Sequence, residues 1–128
     1  MDALAEFREI VRRAVDTERS DPDNWDLIPY GAQVVATVHA HPLDQQAFEQ
    51  EFISLVDADS GPGGPFLEFC MHALRWDSVR LAIEQRHRAA IDRRDFRKEP
   101  YYRHLLESFD DDWGDANDLY GSHFRPGP

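Results

Sequence analysis

Apolar residues recur along this chain at intervals of three and four, broken by short polar or proline-containing stretches, and that rhythm predicts a succession of helices. From Asp2 to about Arg19, Leu4, Phe7, Val11, Ala14 and Val15 form one stripe, with Glu6, Arg8, Glu9, Arg12 and Arg13 on the other side. Residues 20–24, Ser-Asp-Pro-Asp-Asn, predict a turn, because Pro22 lacks an amide donor and Asp and Asn bond their own backbone. Residues 27–41 read two ways. Leu27, Gly31, Val34, Val35 and Val38 make a helical stripe, whereas Val34, Ala36, Val38 and Ala40 alternate as a strand would; helix is the favoured reading. Pro42 should end that segment and Asp44 cap the next helix, whose inner stripe is Phe48, Phe52, Leu55 and Val56.

Residues 57–65 contain three glycines and two prolines and predict a loop. Beyond it Phe66, Phe69, Cys70, Ala73 and Leu74 form a further stripe. Asp77 is positioned to cap a long helix built on Val79, Ala82, Ile83, Ala90 and Ile91. Pro100 should separate that helix from a last one carrying Tyr102, Leu105, Leu106, Phe109 and Trp113. The expected fold is all-α: one domain over residues 1–120, an irregular bundle or short stack of five to six helices, with residues 121–128 as a loose tail.

A chain of 128 residues is long enough to bury one hydrophobic core without cross-links. Its single cysteine, Cys70, lies in an apolar run and reads as a buried thiol. With no internal disulfide, no secretory pattern at residues 1–16 and no apolar run of membrane-spanning length, a cytoplasmic location is the expectation.

Charge divides the chain. Residues 1–70 carry 14 acidic and 4 basic side chains, residues 71–98 carry 4 and 8, and residues 99–128 carry 7 and 2, for a net charge of −11. Such acidity opposes binding to nucleic acid or anionic membranes and speeds encounter with basic partners. The basic stretch from Arg75 to Lys98, interleaved with Asp77, Glu84, Asp92 and Asp95, reads as a salt-bridged outer helix face.

Motifs for chemistry are partial. Glu68 with His72, Glu84 with His87, and His104 with Glu107 each place a carboxylate and an imidazole on one helix face, and together define a metal-dependent alternative, an enzyme or carrier. Only Glu84-Gln85-Arg86-His87 follows the Glu-x-x-His order of di-iron bundles. His39 and His41 would share a face only in a strand. The Asp57-x-Asp59-x-Gly61 loop with Glu68 in twelfth position departs from the EF-hand at Pro62, where the sharp turn needs glycine. No nucleophile motif or phosphate loop occurs, and no catalytic residue, metal ligand or cofactor is assigned.

The most specific surface signal is the acidic-aromatic segment with Asp110, Asp111, Asp112, Trp113, Asp115 and Asp118, echoed by Asp21, Asp23 and Trp25 near the other end. Carboxylates around a large aromatic can anchor an arginine- or lysine-rich surface. The expected function is a small acidic binding protein that neutralises or regulates a basic protein partner, a toxin or enzyme, in the manner of an immunity protein or antitoxin. A self-associating scaffold, starting with a homodimer, is the other alternative.

Overall fold

The computed structural model describes residues 2–20, 28–58 and 64–114, and among these every regular element is helical. The helices are α1 (Ala3–Ser20), α2 (Ile28–Ala40), α3 (Gln45–Asp57), α4 (Gly64–Leu74), α5 (Asp77–Asp92) and α6 (Lys98–Glu107), with a 3-10 turn at Pro42–Asp44. Among the described residues six helices form an all-α bundle, within the five to six expected from the periodicity. The predicted turn at residues 20–24 falls almost wholly outside the described residues, and so does the tail at 121–128.

Each helix starts and stops for local reasons. Asp2 caps α1, its Oδ1 accepting the Ala5 amide at 2.7 Å. Helix wins over strand at α2 because Val34 and Val38 are buried while Ala36 and Ala40, which a strand would bury beside them, are exposed. The cap expected of Asp44 is corrected: its carboxylate makes no capping bond, since the 3-10 turn runs directly into α3 and the Gln45 amide bonds to the Pro42 carbonyl. Asp77 does not cap either. Trp76 holds that position, and Asp77 is the first residue of α5, where its charge complements the helix dipole. The loop read over residues 57–65 is narrower than expected, because Asp57 ends α3 and Gly64 and Pro65 already belong to α4.

Pro100 is not a separator. It sits in the first turn of α6, where a missing amide leaves no bond unmade. The break lies at Arg94, which adopts a left-handed backbone (φ 55°) so that the Asp95 amide returns to the Ala90 carbonyl at 2.8 Å. Asp95 then starts α6 by accepting the Lys98 amide at 3.1 Å.

Followed through their main contacts the helices run α1 to α2 to α4 to α6 to α5 to α3. Phe7 closes the circuit, its ring 5.5 Å from Phe48 and 5.1 Å from Phe52. Phe7, Phe48, Phe52, Phe66, Leu67 and Met71 are the bulkiest fully buried side chains. No residue of α4 is exposed, and its approach to α2 is so close that a Cβ at Gly31 would stand 2.6 Å from the Phe69 ring. Cys70 lies inside this packing, and burial raises its thiol far above the ordinary range, which makes it inert. No helix among the described residues is long and apolar enough to cross a membrane.

Candidate functional site

Past the end of α6 the chain does not unwind at once. The amides of Ser108, Phe109 and Asp110 each bond the carbonyl three residues back, and Trp113 does the same to Asp110, so residues 108–113 descend in tight successive turns. Asp110, Asp111 and Asp112 stand exposed on the outside of these turns, as the sequence reading requires. Trp113 does not. It is only 6% exposed, its ring 5.0 Å from that of His72, so the reading of Trp113 as a surface anchor is corrected: it packs into the core and holds the turn. Asp21, Asp23, Trp25, Asp115 and Asp118 lie outside the described residues.

His72, on α4, is the support beneath the acidic turn. It is 5% exposed, and its Nδ1 donates to the Ser108 carbonyl at 2.8 Å. Its Nε2 lies 3.1 Å from an Arg75 guanidinium nitrogen, which can only donate, so Nε2 must accept. This geometry fixes the neutral Nδ1–H tautomer. Burial lowers the pKa of His72 from its usual value, against a smaller rise from the Ser108 bond, and the nearby Arg75 charge lowers it further. Arg75 is itself held by a left-handed backbone (φ 49°) and by a bond to the His72 carbonyl at 2.9 Å, and its far end pairs with Asp111. Asp110 and Asp112 have no ion-pair partner among the described residues.

Beside the turn, α5 and α6 leave an open groove of about 290 Å³. Leu106 and Phe109, both half-buried, supply its apolar floor, and Glu84, Glu107 and Asp110 its carboxylates. Arg80 and Arg103 also border it but are engaged by their own acids: Arg80 by Asp77 at 3.4 Å and Glu84 at 3.8 Å, Arg103 by Glu99 at 3.2 Å.

The metal alternative finds no support in the packing. His72 spends both ring nitrogens on Ser108 and Arg75, His87 pairs at 2.7 Å with Glu99 rather than with Glu84, and His104 faces Glu107 alone at 3.4 Å. Among the described residues no three histidine, cysteine, aspartate or glutamate side chains converge to hold an ion. Asp57, first ligand of the supposed calcium loop, is bound by Arg86.

Compared with family models, curated proteins and solved structures, the chain matches none. Its site must be read from its own residues.

What the sequence reading missed is the role of His72 and Ser108. The signal was present, since Phe66, Leu67, Phe69, Cys70 and Met71 make α4 apolar around most of its circumference, leaving only the side of Glu68 and His72 polar. A histidine buried with such a helix has to be bonded.

Proposed function

We propose that this protein binds a basic protein partner through the acidic turn 110–112 and the adjoining α5–α6 groove, neutralising or regulating it as an immunity protein or antitoxin does. The supporting observation is that the carboxylates of Asp110 and Asp112, exposed and without an ion-pair partner among the described residues, sit on a turn whose other side is locked to the core by Trp113, Ser108 and His72. A pre-ordered acidic surface loses little conformational freedom on binding. A partner's arginine or lysine would lay its aliphatic stem over Leu106 and Phe109 and direct its charge to Glu107 and Asp110. Asp111, already committed to Arg75, contributes field rather than contact.

The test compares the wild type with the triple variant D110N/D111N/D112N as baits in a native lysate at low and moderate salt. The expected result is a basic protein retained by the wild type, weakened by salt and lost from a triple variant of unchanged circular dichroism. An identical set of proteins on both baits overturns the assignment of this turn.

A further inference from the structure

The exposed residues of α5 are arranged symmetrically along the helix. Three pairs of exposed residues on this helix are symmetric about Arg86: Glu84 and Arg88 stand two positions from it, Leu81 and Ile91 five, Arg80 and Asp92 six. At about 100° per residue all six fall within a sector of about 120°, opposite the buried Val79, Ile83 and Ala90. Arg86 itself turns away from this sector and is occupied by Asp57 and the Ala82 carbonyl.

When two identical helices lie antiparallel with Arg86 at the centre, the members of each pair come to the same level. Glu84 then faces Arg88 of the second copy, Leu81 meets Ile91 diagonally across the seam, and Arg80 and Asp92 stand at one level on its two flanks. Every charged pair is of opposite sign, and the remaining pair is apolar. Leu81 is 55% and Ile91 53% exposed, two of the four large apolar side chains left in water among the described residues. A third, Phe96, is 80% exposed just past the C-terminal end of α5. Arg88 and Asp92 have no ion-pair partner among the described residues, so both are available.

Charge favours this face for a second reason. Two molecules of net charge −11 repel wherever acid faces acid, but α5 carries Asp77, Glu84 and Asp92 against Arg80, Arg86 and Arg88 and is balanced. We propose that the chain forms a two-fold homodimer by antiparallel pairing of α5 with α5 of a second copy. The contact is isologous and closes on itself, which stops growth at two. Arg80 and Glu84 also border the α5–α6 groove, so a second copy and a basic partner would compete for that edge, whereas the acidic turn 110–112 lies outside these pairs and its substitution separates the two readings.

Sedimentation equilibrium and light scattering across a wide concentration range test it. The wild type should pass reversibly from monomer to dimer. E84R and R88E, each placing like charges opposite one another, should each weaken dimerisation at least tenfold, whereas E84R/R88E, which restores opposite signs in reversed order, should recover it. L81S/I91S should weaken the dimer with no change of charge, and serves as the reading if a charge reversal lowers helicity. D110N/D111N/D112N should leave the dimer intact. A wild type that stays monomeric throughout overturns the proposal, as does a dimer indifferent to E84R and L81S/I91S or a double reversal that fails to restore it.

Discussion

Helices α4 and α5 follow one another in the chain yet live in different solvents. Helix α4 has eleven residues, none exposed, and is covered by α2 on one side and α6 on another; α5 has sixteen and buries only Val79, Ile83 and Ala90. The first is held by exclusion of water and close packing, the second by a narrow inner stripe and a set of charge pairs, each contributing about 0–1 kcal/mol at a surface. Stability should therefore reside in α4, while the outer half of α5 is free to serve association.

The largest predicted contrast is between Leu67→Ala and Leu81→Ala. Leu67 is fully buried, and its truncation should cost about 2–5 kcal/mol, whereas Leu81→Ala should stay within about 0.5 kcal/mol for the monomer. Urea denaturation of both variants at a concentration below dimer formation checks this, and equal losses would erase the distinction. Next is Gly31→Ala. Alanine ordinarily helps a helix interior by about 0.5–1 kcal/mol, but here the added methyl meets the Phe69 ring of α4, so a net loss of about 1–3 kcal/mol is expected. A stabilised G31A would mean that the contact with α4 gives way easily.

The third prediction concerns pH. Unfolded, His72 titrates near its ordinary 6.5; folded, its pKa is lower, so between the two values the unfolded chain holds more protons. Its contribution is complete above pH 6.5 and is lost as pH falls through the lowered folded value. His72→Gln should flatten the decline in melting temperature between pH 7 and pH 5 relative to the wild type, and parallel curves would refute the neutral tautomer. The smallest effect is a gain: Arg94→Gly removes a left-handed non-glycine backbone and should stabilise the fold by about 1 kcal/mol, read as a shift in the urea midpoint.

The same contrast explains what could be read from the sequence. The helices α1, α3, α5 and α6 were legible because each buries one stripe, and a one-sided stripe leaves a 3.6-residue signature. For α4 the signature fails: Phe66, Phe69, Cys70, Ala73 and Leu74 form a stripe, but Leu67, Met71 and His72 are buried too, because α2 and α6 cover more than one side. Ile91, read into the inner stripe of α5, is 53% exposed because one residue past Ala90 the helix has turned it about 100° away from the buried side. At the candidate site the exposure of Asp110–Asp112 follows from their charge. The burial of Trp113 was signalled only by its place in the stripe with Tyr102, Leu105, Leu106 and Phe109, and its partner His72 comes from a distant helix.

The enclosure of α4 also orders how the molecule opens. Its amides are bonded within a helix that has packed neighbours and no exposed residue, so they can meet deuterium only when α2 or α6 lifts away. Protection should be greatest there and least at the turns after α6. Brief fraying of amides at these turns should then come and go many times for each occasion on which the centre is wetted, while the Trp113 and His72 contacts return the acidic surface to the same place each time.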